Sequence, residues 1–155
     1  MPSSTDSSLG YWCTLVGQQY FTVLRDRLAH LNIDRRYSVL VYLAEAQGAI
    51  SQQELANKLH MDKVAVVRAV DHLSGLGYLR RTVCAEDRRK HHLELLPKAR
   101  PVVQQIIAAY GELNDIAFKG MSATRRASFI KELSGMLGRL DEAGTPPPKN
   151  MKESQ

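Results

Sequence analysis

Residues 51–96 read SQQELANKLHMDKVAVVRAVDHLSGLGYLRRTVCAEDRRKHHLELL. Ser51 stands three residues before Glu54, so each side chain satisfies the other's otherwise unpaired backbone amide, which fixes the start of a helix that runs to Leu59. His60, Met61 and Asp62 form a short connection, and Asp62 caps a second helix from Lys63 to Leu76. Two short helices joined by a tight turn form a helix-turn-helix pattern. Leu55, Leu59, Val66, Val70 and Leu73 fall on the shared face, with Ala56 small where the helices cross. Gly77 ends the second helix at no cost for a positive φ. Tyr78–Cys84 and His91–Leu96 alternate around the charged turn Ala85–Lys90, which predicts a hairpin that must lean on the helices for stability.

On the N-terminal side, Trp12, Leu15, Val16, Gln19, Val23 and Leu28 recur near helical spacing and predict a first helix over Tyr11–Leu31. Asp34 is the expected cap of a second, about Arg35–Gln47, closed by Gly48. On the C-terminal side, Pro97 and Pro101 suit only a first helical turn, so a fifth helix is expected from about Lys98, with Val102, Val103, Ile106, Ile107, Tyr110, Leu113 and Ala117 on its apolar side. Gly120 closes it, and Ser122 caps a sixth helix carrying Phe129, Ile130, Leu133, Met136, Leu137 and Leu140. The expected organisation is a flexible 1–10, an N-terminal helix in 11–33, a helix-turn-helix and hairpin unit in 34–97, C-terminal helices in 98–142 and a disordered, Pro-rich 143–155.

The chain has 155 residues, 44% apolar and 24% charged, the composition of one soluble domain with a real core. Its apolar runs fall far short of the roughly 20 residues that cross a bilayer. Met1–Ser8 is polar, without the basic and apolar blocks of a secretory signal, and two cysteines are too few for a disulfide framework. A cytoplasmic protein without membrane partners is expected. The net charge is +5, and between Tyr78 and Arg100 seven basic residues face three acidic ones, so the excess is concentrated where phosphate would be bound. Gly-rich phosphate loops, His-Glu-x-x-His, Gly-x-Ser-x-Gly and an acid pair are all missing, and neither catalysis nor a cofactor is expected.

The run of Leu-Ala, a helix ending in Leu-x-x-x-Gly, a basic strand and an Asp-x-Arg turn at Asp87 and Arg89 resembles the MarR (multiple antibiotic resistance regulator) family. The resemblance spans nearly the whole ordered chain. It implies a mainly α fold with a β-hairpin wing: a winged helix-turn-helix domain with a helical dimerisation region. It also implies a homodimeric cytoplasmic transcription regulator, usually a repressor released by a small ligand or by oxidation. Ala65 and Val67 stand where the family often has threonines, and Leu96, Pro97 and Ala99 replace its usual Thr, Glu and Gly.

In such a fold the helix beginning at Lys63 enters the major groove, and Lys63, Val64, Ala65 and Arg68 are the candidate base-contacting residues. Arg68 is the natural guanine ligand; its bland alternative is an ion pair with Asp71. Ser51 and Gln52 at a helix N-terminus suit phosphate. Arg89, oriented by Asp87, is the minor-groove candidate, Arg88 and Lys90 are the phosphate candidates, and Arg80 and Arg81 brace the hairpin. Selective reading needs two recognition helices about 34 to 36 Å apart, hence a homodimer on a pseudo-palindromic duplex. The first, fifth and sixth helices supply the interface.

The resemblance places an effector pocket beside the dimer helices, where Trp12, Tyr20, Tyr37 and Tyr110, with Arg36, are the candidate lining for an aromatic or phenolic ligand. Cys13 lies where an oxidant-sensing branch keeps a reactive thiol. Gly17 sits where that branch has a tyrosine, so Cys13 reads as a buried inert thiol, with a redox switch as the alternative. A zinc reading of Cys84, His91, His92 and Asp87 is disfavoured, because adjacent strand histidines point to opposite faces. The remaining rival is a winged-helix module that binds protein instead of DNA.

Overall fold

The computed structural model describes residues 4–46 and 48–144. Residues 1–3, 47 and 145–155 lie outside the described residues, and with them the first part of the expected flexible N-terminus, the expected end of the second helix and most of the expected tail. The chain divides into two units, Met1–Asn114 and Asp115–Gln155.

The first unit opens with α1 (Leu9–Arg27), which begins two residues earlier than its apolar spacing predicts because the Ser8 hydroxyl accepts the Tyr11 amide at 3.3 Å. It does not continue to Leu31: Leu28 closes it and Ala29–Leu31 form a tighter 3-10 turn. Helix α2 spans Tyr37–Glu45 with Arg36 at its N-cap. Asp34 is therefore not the cap; it sits in the left-handed region at φ 53°, and its carboxylate pairs with Arg36 at 3.6 Å. Helices α3 (Gln52–Leu59) and α4 (Lys63–Gly75) follow, then strands β2 (Leu79–Val83) and β3 (His91–Leu95). A two-residue strand β1 (Ile50–Ser51) completes a three-stranded antiparallel sheet in the order β1-β3-β2. Pro97–Ala99 form a 3-10 turn, so α5 (Arg100–Ala117) begins two residues later than expected, with Pro101 in its first turn, where its missing amide is not needed.

One core joins these elements. Leu24, Leu28, Ile33, Tyr37, Leu40, Leu55, Val66, Val70, Leu73, Leu79, Leu93, Val103 and Ile106 are all buried, so the helix-turn-helix face read from the sequence is the face that packs. Leu59 is the exception, half-buried at its edge. The expected apolar line of the first helix is covered only at its C-terminal end: Val23 packs against the core and Leu28 is buried, with Leu24 beside them, whereas Trp12, Leu15 and Val16 are exposed. No helix among the described residues is long and apolar enough to cross a membrane.

The second unit centres on α6 (Ala123–Gly144), capped by Ser122, whose hydroxyl accepts the Arg125 amide at 3.3 Å. Gly120 turns the chain into it at φ +84°. Arg126 binds Asp115 at 2.7 Å and lies over the Phe118 ring, which meets Phe129 edge to face. The helix extends through Gly144, past the expected boundary at 142, and Phe129, Ile130, Leu137 and Leu140 on it are exposed.

Candidate nucleic-acid interface

Ser51 performs two local tasks. Its hydroxyl accepts the Glu54 amide at 3.1 Å, while the Glu54 carboxylate accepts the Ser51 amide at 2.6 Å, closing the capping box. Those bonds hold the Glu54 carboxyl below the usual carboxylate range, the Ser51 backbone amide contributing most. Ser51 also belongs to β1 and stands opposite His92 of β3, so the N-terminus of α3 is stitched to the hairpin. Sequence reasoning missed this strand, since two residues show no alternation.

His60 turns the chain at φ 50°, and the Asp62 carboxylate accepts the Ala65 amide at 2.7 Å to start α4. Helix α4 turns Val66, Ala69, Val70 and Leu73 inward. That leaves Lys63, Val64 and Arg68 exposed and Ala65 half-buried beside them, all on or near its N-terminal half. Val64 keeps 61% of its surface in solvent.

The alternative set against base contact by Arg68, an ion pair with Asp71, is not formed; Arg81 holds Asp71 instead, at 2.7 Å. Its Nε also donates to Gln52, and its second amino group reaches the Val67 carbonyl at 3.5 Å. One guanidinium on β2 therefore ties the first residue of α3, the middle of α4 and the hairpin together. Arg80 donates to Glu94, its cross-strand partner, at 2.7 Å. The two arginines expected to brace the hairpin are thus engaged, and the remaining positive charge of the segment lies at its tip.

There the Cys84 amide donates to Lys90 and the Lys90 amide to Asp87, each at 3.0 Å. The Asp87 carboxylate accepts the Arg89 amide at 3.0 Å and its Nε at 3.3 Å. The Arg89 backbone bond first, and its side chain second, pull the Asp87 carboxyl below its usual range. The Arg89 side chain is 92% exposed. Asp87 thereby aims a solvated guanidinium outward, and Arg88 and Lys90 are exposed on either side.

Between α3, the start of α4 and the hairpin lies an open groove of about 560 Å³. It is lined by Ser51, Gln52, Gln53, Glu54, Ala56, Lys63, Val66, Arg89, Lys90, His91 and His92. The groove unites five of the sequence-predicted residues, Ser51, Gln52, Lys63, Arg89 and Lys90. Val64, Ala65, Arg68, Asp87 and Arg88 are not in its lining. Gln53, His91 and His92 were missed, although the basic turn running directly into two histidines was a signal for the latter pair.

The residues named for an effector separate. Tyr20 donates to Asn114 at 3.0 Å, Tyr37 is buried, and Tyr110 is pushed up to about 12 by burial, with smaller contributions from Tyr20, Tyr37 and Glu45. These three phenols form one neighbourhood. Trp12 is instead half exposed and donates to the Asp6 carbonyl at 3.0 Å, and Arg36 pairs with Asp34. Cys13, expected to be buried, is exposed.

A family model described as the MarR family matches residues 33–90. The solved transcriptional regulator PA3341 is 26% identical, with a TM-score of 0.75 over 87% of this chain and 99% of its own. The S. aureus MepR–DNA complex matches at 18% identity and a TM-score of 0.77, covering 86% of this chain and 98% of that one. CouR from Rhodococcus jostii RHA1, bound to p-coumaroyl-CoA, matches at 21% identity and 0.77, covering 86% and 94%.

Proposed function

We propose that the chain is a DNA-binding transcription regulator of the MarR family, acting as a homodimeric cytoplasmic repressor; the family model over residues 33–90 and the likeness to PA3341 support this. In this reading it binds a pseudo-palindromic duplex and is released by a small aromatic or phenolic ligand. The observation that carries the reading is the groove in which the α3 cap, the first residue of α4 and the hairpin tip converge. A duplex with α4 in its major groove brings its phosphates to Ser51, Gln52 and Lys63, and Arg89 to the adjacent minor groove. Val64, Ala65 and Arg68 are then the residues that meet base edges. The similarity to a MepR–DNA complex supports this orientation at the level of the fold.

Dimerisation is supported by apolar side chains that the single chain leaves in solvent: Trp12, Leu15, Val16 and Phe21 on α1, Ile107 and Ile116 on α5, and Leu137 and Leu140 on α6. Each unit thus leaves apolar side chains open to a partner, and a two-fold pair uses such a surface twice. For the effector, the Tyr20, Tyr37 and Tyr110 neighbourhood offers an aromatic lining, with Arg36 suited to a carboxylate. A fold neighbour that binds p-coumaroyl-CoA supports that chemical class. A ligand acts only by favouring a dimer spacing unsuited to the operator.

The exposure of Cys13 favours one second reading, release by thiol oxidation. Peroxide treatment of wild type and Cys13→Ser separates the two: equal DNA release from both removes the thiol from the mechanism. The main test is selection of genomic fragments by the purified protein. The reading expects an enriched, two-fold symmetric sequence with half-sites about 10 base pairs apart; recovery of unenriched DNA refutes it.

A further inference from the structure

The groove contains titratable groups that the proposed DNA contacts do not use. His91 and His92 open β3 immediately after the basic turn, opposite Val83 and Thr82 of β2, and His92 also stands opposite Ser51 of β1. His91 is exposed and His92 half-buried, and both line the groove with Lys63, Arg89 and Lys90. The charged groups around them are Glu54 from α3, Lys63 from α4, and Arg89 and Lys90 from the turn. The charges of His92 and Lys90 both act on the Glu54 carboxylate, which places the imidazole within electrostatic reach of the α3 N-terminus.

We propose that His91 and His92 are proton-dependent phosphate ligands, adding imidazolium donors to the groove in mildly acidic solution and withdrawing that charge in alkaline solution. This rests on the reading of the groove as a phosphate site. Histidine is the side chain whose charge changes between pH 5 and 8. A bound phosphate neutralises the cations and itself favours the imidazolium. Binding therefore raises the histidines' proton affinity, and by linkage DNA affinity increases as pH falls.

The probe is a labelled mixed-sequence 30-base-pair duplex, whose affinity is dominated by phosphate contacts and needs no knowledge of the operator. Counting one added contact for each histidine, two in each of two subunits, the slope of log affinity against log salt steepens by about 4 between about pH 8 and pH 5.8, and affinity at 0.1 M salt rises by more than about tenfold. The His91→Gln/His92→Gln pair loses this response. The single change His91→Arg, at an exposed position, carries part of the low-pH affinity to pH 8 and tests the inference even if the double variant folds poorly. A wild type that binds without a pH response, or a response that survives in the folded double variant, overturns the histidine assignment alone. A wild type that fails to bind the duplex at any pH at low salt overturns the DNA reading beneath it.

Discussion

Arg81 is the point at which the two DNA-facing parts are mechanically joined, so Arg81→Ala has a cost that can be worked from its contacts. The ion pair with Asp71 is 2.7 Å long between side chains that are 30% and 58% exposed. Solvent screening of a pair so exposed limits it to about 0.5 to 1 kcal/mol. The bond to Gln52 adds about 1 kcal/mol. Asp71 can rehydrate when its partner is lost, so no buried-charge penalty is added. The total is about 1.5 to 2 kcal/mol, a fall in urea midpoint of about 0.7 to 1 M for an m-value near 2 kcal/mol/M. A double-mutant cycle with Asp71→Ala should return a coupling of about 0.5 to 1 kcal/mol. Duplex affinity, measured by fluorescence anisotropy far below the unfolding transition, should fall by about tenfold, or 1.4 kcal/mol, because helix and hairpin no longer share an anchor. An unchanged urea midpoint would refute the bracing assignment. Lost stability with unaltered duplex affinity in the folded protein would refute the claim that bracing serves binding.

Other expectations concern the cap, the charges and the interface. Ser51→Ala should destabilise the fold by about 1 kcal/mol in chemical denaturation. Because the Glu54 carboxyl is held below its unfolded value, its contribution is present above the ordinary carboxylate range and lost as pH falls through the lowered folded value; the stability difference between wild type and Glu54→Gln should close over that window. Arg89→Ala should weaken binding to all sequences alike and flatten the salt slope by about 1 per subunit, whereas Arg68→Ala should cost about 1 to 3 kcal/mol per half-site and relax base preference, both read from binding to sequence-randomised duplexes. Leu15→Glu, a charge placed in the exposed apolar stretch of α1, should halve the mass in sedimentation equilibrium; an unchanged mass would move the interface elsewhere.

Local signals read well where one residue type has one physical use. The Ser51–Glu54 box, the Asp62 cap and Gly77 at φ +77° all fell where the sequence placed them, as did the core of the helix pair. Asp34 failed as a cap because it sits in a left-handed turn, a conformation Asp tolerates, and the chain enters α2 only after Arg36. Strand β1 was invisible because its pairing is set by β3, far along the chain. The apolar spacing of the first helix was correctly helical but did not say how much of that line the chain itself would cover: Leu28 is buried, and Trp12, Leu15 and Val16 are not. Within the site, residue types indicated charge, but only the fold shows that Arg81 is spent on Asp71 while Arg89 is free to face solvent.

The central claim, that α4 and the hairpin tip grip one duplex together, is tested most directly by placing a photo-crosslinker in turn at exposed positions 64 and 88 and mapping the adducts on a selected operator. The account predicts that position 64 reacts with bases in the major groove of each half-site, and that position 88 reacts with the backbone of the same duplex toward its outer flank. Adducts from only one of the two positions, or none from either on DNA that the protein demonstrably retains, would contradict it.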